Sequence, residues 1–297
     1  VNVPVEGYEW VHGALWHDFA GRVQALLANE PNPPKLAMLA YGYTSEPPDE
    51  PVKHDGLTLF YAELMVSQFH ALTDPVNRTF RRRLELWRQC GSATYLWWYS
   101  VNFSCWAFVH PNMHTFADDL RYLREAGVTG IFAQGNQQAV YGKRFDGEMN
   151  ELRAYLLARL LWNPDLDWRR ERREFCAAYY GAEAGRVIEQ YLDDLRDQFV
   201  KHDAECFATI ADYPSMLGWI TPRIFARWHT YMDRAEGLAT DEEHKRLVQI
   251  ARLPILFTEA YCQKDPQRRQ EMQQAYWDVG TSLGALTHIS EGRNYVL

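Results

Sequence analysis

Short apolar runs alternate with helical patterns through the first half of this chain. Runs of strand length and β-forming composition begin near residues 1, 35, 57, 94 and 129. Most of them are separated by stretches of helical periodicity, and the spacing of about 20 to 40 residues is typical of βα units. Because the strands are almost entirely apolar, we expect a parallel sheet that helices cover. The proline-rich segment between Tyr43 and Leu57 is predicted to contain no helix.

Capping residues mark the ends of several predicted helices. Asp74 and Pro75 supply the N-cap and the first-turn proline of a helix that stops before Gly91. Another helix begins at Thr115 and ends at Gly127. A further amphipathic helix is predicted by apolar residues at helical spacing near the N-terminus: Trp16, Phe19, Val23, Leu26 and Leu27.

Beyond Gly135 the pattern becomes helical, and no strand is predicted between about residues 147 and 290. Thr240 and Glu243 form a capping box at the start of one of these helices. Two architectures remain open for the first half. One is a partial barrel whose early strands lie upstream, and the other is an open sheet. A nucleotide-binding sheet needs a glycine-rich phosphate turn, and neither GxGxxG nor GxxxxGK[ST] occurs.

Composition narrows the functional classes. With 47% hydrophobic residues the chain can bury a sizeable core, which excludes wholesale disorder. A net charge of −8 argues against a nucleic-acid partner, and no apolar run is long enough for a transmembrane helix. The five scattered cysteines include no CxxC pair, so neither a zinc site nor a disulfide framework is expected. The basic segments RRRLELWRQC and WRRERREF are interpreted as solvated helix surfaces.

The chain starts at Val1, inside a run that already has the character of a strand. No initiator methionine, basic region or apolar signal segment precedes that run. We therefore expect a fragment or a processed product. An extracytoplasmic or periplasmic location is expected if a signal peptide stands upstream.

Candidate chemistry collects where the predicted strands end, because the carboxyl ends of parallel strands meet at one edge of a sheet. Aromatic rings stack on sugars, amides bond hydroxyl groups, and two carboxylates can do acid/base work on a glycosidic bond. These ends carry no cluster of histidine, cysteine and aspartate that is typical of a metal site. The candidate residues are Glu6, Trp10, Tyr41, Tyr43, Tyr61, Glu63, Trp97, Tyr99, Asn102, Gln134 and Asn136.

These residues also have structural interpretations. Trp97 and Tyr99 share one face of their strand while Trp98 takes the other, so at most one set faces a barrel interior. Glu63 stands within an apolar run, where an unpaired carboxylate would be costly. Either Glu63 has a partner or its strand ends at Tyr61.

Five segments carry a further signal through their order and spacing: LAYGYT at 39–44, FHALTDPVNRTF at 69–80, YLWWYSVNFSCW at 95–106, GVTGIFAQGN at 127–136 and ELRAYLLARLLWNPDLD at 151–167. Together they resemble a bacterial domain long described as of unknown function. That domain is associated with glycoside hydrolase family 163, whose members are endo-β-N-acetylglucosaminidases acting on N-glycans. The resemblance covers roughly residues 1–195.

The resemblance implies a TIM-barrel catalytic domain followed by helices. On this basis residues 1–146 form the C-terminal part of a (β/α)8-like barrel, and residues 147–297 form a helical region packed on it. Glu6 matches an acidic residue that in the family usually ends a strand before a glycine. Two departures stand out. The family commonly has glutamate where this chain has Ala133, and cysteines where this chain has Val11-His12-Gly13.

The resulting expectation is a glycoside hydrolase that acts on N-acetylhexosamine-containing glycans without a cofactor. Glu6 would serve as general acid, and Glu63 as a second carboxylate that orients or stabilises the substrate. The substrate's acetamido oxygen could act as internal nucleophile. An upstream barrel segment of the same protein would complete the fold. Two alternatives remain: a non-catalytic carbohydrate-binding or scaffold domain on a decayed barrel, which Ala133 favours, and a nucleotide- or cofactor-dependent α/β enzyme.

Overall fold

The computed structural model describes residues 12–135, 147–209 and 216–285, which form a mixed α/β protein. The chain divides into two compact units. The first unit is built from residues within Val1–Val66, Ala71–Tyr99 and Asp118–Gln134. The second unit takes the remaining segments, which are Ser67–His70, Ser100–Ala117 and residues within Gly135–Leu297.

Four parallel strands form the sheet of the first unit, in the order β1-β2-β3-β4. Their bounds are β1 Leu36–Ala40, β2 His54–Ala62, β3 Gly91–Tyr99 and β4 Gly130–Gln134. The strands predicted near residues 35, 57, 94 and 129 are therefore confirmed, and the run at residue 1 lies outside the described residues. Since the order is sequential, every crossover moves one strand along in the same direction.

Three helices accompany this sheet, namely α1 His12–Leu27, α2 Arg78–Cys90 and α3 Phe116–Glu125. The Asp74 side chain accepts a hydrogen bond from the Val76 amide at 3.0 Å and begins the 3-10 turn that leads into α2. Gly91 follows α2 directly as the first residue of β3, and Gly127, at φ +74°, follows α3 in the left-handed region. The predicted helix ends at Gly91 and Gly127 are thereby confirmed, whereas the α-helix itself begins at Arg78, after the 3-10 turn that Asp74 caps.

The two faces of the sheet differ in their surroundings. Tyr61 of β2 stacks on Phe80 of α2, so α2 covers the face that carries Tyr61. His17 of α1 contacts the ring of Trp87 on α2, which places α1 beside α2 on that face. The opposite face carries large side chains that stay partly open to solvent: Leu39, Phe60, Tyr95, Trp97 and Phe132.

Helix α1 exists as predicted, but its apolar residues do not face the sheet. Its buried side consists of small and polar residues: Gly13, His17, Ala20, Gly21 and Gln24. A Cβ atom at Gly13 would lie 1.9 Å from the carbonyl oxygen of Glu46, so only glycine permits this close approach. Backbone proximity thus decides which side of α1 is buried, and Trp16, Phe19 and Leu26 are exposed.

In the second unit, the described residues beyond residue 147 contain helices and no strand, as predicted. Its long helices are α4 Asn150–Trp162, α5 Trp168–Tyr180, α6 Ala182–Lys201, α7 Pro222–Leu238, α8 Glu242–Cys262 and α9 Pro266–Ser282. Tyr191 and Trp228 are fully buried between α6 and α7. The predicted cap at Thr240 is wrong by one residue, since Asp241 accepts the hydrogen bond from the His244 amide at 2.8 Å and precedes Glu242.

Candidate functional site

The carboxyl ends of β1 to β4 lie along one edge of the parallel sheet. The candidates of the first unit lie in or just after these strands and are distributed over both faces of the sheet: Tyr41, Tyr43, Tyr61, Glu63, Trp97, Tyr99 and Gln134. Asn102 belongs to the second unit. The candidates Glu6, Trp10 and Asn136 lie outside the described residues.

Tyr41 and Tyr43 stand in a tight turn after β1. The Thr44 hydroxyl accepts a hydrogen bond from the Tyr41 amide at 3.1 Å and lies 3.3 Å from the Leu39 carbonyl oxygen, to which it can donate. Gly42, at φ +57°, occupies the left-handed region that the turn requires. The turn therefore holds Tyr43 outward, with 81% of its surface exposed.

A second aromatic group lies on the face of the sheet opposite α1 and α2. The Trp97 indole N–H donates to the Gln134 side-chain oxygen at 2.6 Å, and the Trp97 ring meets Phe132 edge-on with centroids 4.7 Å apart. Phe60 and Tyr95 stack on the same face at 5.0 Å. Because Phe132 is 51% exposed, this face offers solvent an aromatic surface beside an oriented amide.

Glu63 has the partner that its apolar setting requires. The Arg83 guanidinium lies 2.5 Å from Glu63 Oε2, the Tyr61 hydroxyl donates to the same oxygen at 3.2 Å, and the Met65 amide donates to Oε1 at 3.1 Å. Burial, together with the charge of Glu63, raises the pKa of Tyr61 well above its ordinary value, so Tyr61 acts as a neutral donor. β2 ends at Ala62, so Glu63 follows the strand.

Arg83 also binds a second carboxylate, that of Glu46, at 2.6 Å from Nε. Burial opposes the charge on Glu46, but the hydrogen bonds and charges of Arg82 and Arg83 outweigh burial and lower its pKa. A carboxylate held this way stays ionised and can orient or stabilise a bound group. It is poorly suited to donate a proton.

The interpretation of RRRLELWRQC as a solvated surface is therefore wrong for Arg83, which is largely buried in this ion-pair network. Sequence reasoning missed Arg83 and Glu46 because 37 residues separate them, and no local pattern links them. Sequence reasoning also missed that the Phe132 ring is exposed. The alternation of side chains along its strand could have shown that Phe132 lies on the same face as Gln134.

Asn102 is buried in the second unit. Its side-chain oxygen accepts a hydrogen bond from the Ser104 amide at 2.9 Å, which fixes a turn in the buried segment that follows β3 in sequence. Arg153 of α4 holds this segment by donating to the carbonyl oxygens of Ser100 at 3.2 Å and His110 at 3.1 Å. Asn102 is thus positioned by a structural turn and is inaccessible from bulk solvent.

A buried polar cluster surrounds Arg153. Its guanidinium pairs with the Glu148 carboxylate and bonds the side-chain oxygen of Asn112. Burial raises the pKa of Glu148, while the charge of Arg153 opposes the shift. His110 lies 2.7 Å from the Gln68 side-chain oxygen, and burial together with the charge of Arg153 lowers its pKa well below the ordinary value. His110 is accordingly neutral.

Within residues 12–135, 147–209 and 216–285, no group of three or more histidine, cysteine, aspartate or glutamate side chains is placed to hold a metal ion. The helices of these ranges include none with the length and apolar character needed to cross a membrane.

Comparison with known protein families gives a match over more than half of the chain. The model of a family described as Domain of unknown function (DUF4838) matches residues 15–193. Neither the curated proteins nor the solved structures contain a match to this chain.

Proposed function

The chain belongs to the DUF4838 family, and from its geometry we propose that it is a glycoside hydrolase acting on N-acetylhexosamine-containing glycans. One observation carries the proposal. Near the carboxyl edge of the sheet, the half-buried ring of Trp97 and the exposed ring of Phe132 stand beside the Gln134 amide, on the face opposite α1 and α2. Sugars bind by stacking on such rings and by hydrogen bonding to such amides. The sequence resemblance to glycoside hydrolase family 163 supports the same substrate class.

The proposed architecture is an incomplete (β/α)8 barrel. Its support is the sequential parallel order of β1 to β4, with α1 and α2 together on one face. In a barrel wall the opposite face points into the interior, and functional groups gather at the carboxyl ends of the strands. The four strands within the described residues cannot close a barrel, even if the run at residue 1 adds a fifth. We infer that an upstream segment of the same polypeptide supplies the others.

In the proposed reaction Glu6 protonates the leaving oxygen, and the substrate's acetamido oxygen attacks the anomeric carbon as internal nucleophile. Trp97 and Tyr43 form the walls of sugar subsites. Gln134 bonds a hydroxyl or acetamido group. Glu63 is paired with Arg83 and contributes as a second carboxylate that orients or stabilises the substrate.

The test separates binding from turnover. The purified protein is incubated with N-glycoproteins and chromogenic N-acetylhexosaminides, and product release and glycan affinity are both measured. Glu6→Gln is expected to abolish release while keeping affinity, and Trp97→Ala to weaken both. Trp162→Ala is the matched control, because this tryptophan is 91% exposed on α4 and should leave both unchanged. Undiminished release by Glu6→Gln would remove its role as the acid.

A non-catalytic carbohydrate-binding domain is the second candidate. Two points favour it: Ala133 stands next to the last residue of β4, where the resemblance described above implies glutamate, and Arg83 is ion-paired with Glu63. Glycan binding that depends on Trp97, without product release by the unaltered protein, would select this function over hydrolysis.

A further inference from the structure

Helix α1 presents an apolar stripe to solvent. The stripe consists of Leu15, Trp16, Phe19 and Leu26, which are 69%, 48%, 54% and 73% exposed. Successive residues of an α-helix are rotated by about 100°, so the centre of this stripe lies roughly 140° around the helix axis from the centre of the buried side of α1. Trp16 and Phe19 stack on each other with centroids 5.4 Å apart. Trp16 and Phe19 therefore form one apolar surface within the stripe.

A rotation of α1 about its axis cannot bury the stripe. Besides Gly13 against Glu46, a Cβ atom at Gly21 would lie 2.3 Å from the imidazole of His54. His17 is fixed as well, since its ring nitrogen lies 3.1 Å from the Cys90 carbonyl oxygen. At Gly13 and Gly21 a larger side chain would collide with these neighbours. The exposure of the stripe is consequently a property of this packing.

The size of the stripe suits a protein interface. Large apolar side chains bury about 150–250 Å² each, so half to three-quarters exposure of four of them leaves on the order of 500 Å² of apolar surface. That is near the largest patch of a typical monomer. With a polar rim, it approaches the roughly 800 Å² that each partner contributes to a standard interface.

We propose that this stripe is the surface through which two copies of the chain associate, with the two α1 helices packed antiparallel about a two-fold axis. In that arrangement Leu15 and Trp16 of one copy meet Leu26 of the other, and the two Phe19 rings lie near the axis. A two-fold interface uses the same patch on both copies, and a stripe about three turns long with bulky groups at one end is self-complementary in this way.

The charges beside the stripe favour a second copy over a lipid surface. Asp18 and Arg22 pair with each other at 2.9 Å, so the helix brings no net charge of its own to repel its equivalent. Helices that lie on membranes carry several lysine or arginine residues on their polar face, and α1 has Arg22 alone.

The test is the mass of the purified chain in solution, measured by light scattering and sedimentation from low to high micromolar concentration. The unaltered chain should show twice the monomer mass, and Phe19→Glu/Leu26→Glu should show the monomer mass. Circular dichroism verifies that the variant stays folded. Val200→Glu and Leu238→Glu are matched controls, since both residues are exposed on helices of the second unit and should leave the dimer intact.

A second measurement reports the arrangement. Phe19→Cys should form a disulfide between copies under mild oxidation, whereas Leu238→Cys should not. A monomer at the highest concentration, or equal dissociation by the controls, would overturn the proposal. So would binding of the unaltered chain to anionic vesicles that Phe19→Glu abolishes, because the stripe would then serve a membrane.

Discussion

Replacing Arg153 by methionine tests how the buried segment after β3 is held. The Arg153 and Glu148 side chains are only 3% and 2% exposed. Methionine keeps much of the apolar stem but removes the ion pair and the hydrogen bonds to Ser100, His110 and Asn112. Removing one partner of a buried ion pair costs about 3–5 kcal/mol, because the other charge is left without compensation. This is a large fraction of the roughly 5–15 kcal/mol that stabilises a typical domain.

Urea denaturation followed by tryptophan fluorescence and circular dichroism gives the free energy of unfolding. Arg153→Met should lower it by about 4 kcal/mol, and Glu148→Met/Arg153→Met by clearly less, since no uncompensated charge remains. Arg170→Met, which breaks an exposed pair with Glu174, is the control and should cost less than about 0.5 kcal/mol. A loss under about 1 kcal/mol for Arg153→Met, or a double variant less stable than the single one, would refute the reasoning.

The pH dependence of this variant provides a second check. Burial already raises the pKa of Glu148, and loss of Arg153 removes the charge that opposes this shift. The folded variant then binds a proton that the unfolded chain releases, so its stability falls as pH rises above the ordinary glutamate value. The cost of Arg153→Met should therefore be greater at pH 8 than at pH 5. An equal cost at both pH values would contradict this account.

Two further predictions concern stability. Burial and the charge of Arg196 lower the pKa of His114 from 6.5 to about 4. As pH falls, the unfolded chain therefore binds a proton at this histidine before the folded chain does. His114 should thus lower the free energy of unfolding by about 3 kcal/mol between pH 6.5 and pH 4. His114→Gln should flatten that part of the stability–pH curve, and an unchanged curve would show that His114 is not its source. Gly13→Ala should cost more than about 3 kcal/mol in thermal or urea unfolding, because its Cβ would collide with the Glu46 carbonyl oxygen. Gly237→Ala, with open space around it, should be neutral or stabilising by up to about 1 kcal/mol, and equal losses for both variants would contradict the steric explanation.

Much of the secondary structure could be predicted because its signals are local. The apolar runs and the capping residues act over a few positions, and they located β1 to β4 as well as α2 and α3. The alternation of a strand also predicted that Trp97 and Trp98 take opposite faces. Trp98 is buried, while Trp97 lies with Phe132 on the partly open face.

The candidate site was predictable only as a set of residues near one sheet edge. That Glu63 needs a partner followed from the cost of burying a carboxylate. The identity of that partner could not be predicted from the sequence, since Arg83 lies 20 residues away on a helix whose composition is typical of a solvated surface. Asn102 was expected beside the strand ends. Its side chain is instead buried in the second unit, because packing there fixes the turn at Ser104.

The sequence by itself determined the order of strands and helices and the residue types at the strand ends, because periodicity, caps and turn residues act locally. Only the tertiary structure decided which groups neutralise one another and which side of α1 is buried. Arg153 and Asn112 meet across 41 residues, and the Gly13 contact depends on a carbonyl oxygen from another segment. Such contacts arise from the path of the backbone in space, which no local pattern of side chains encodes.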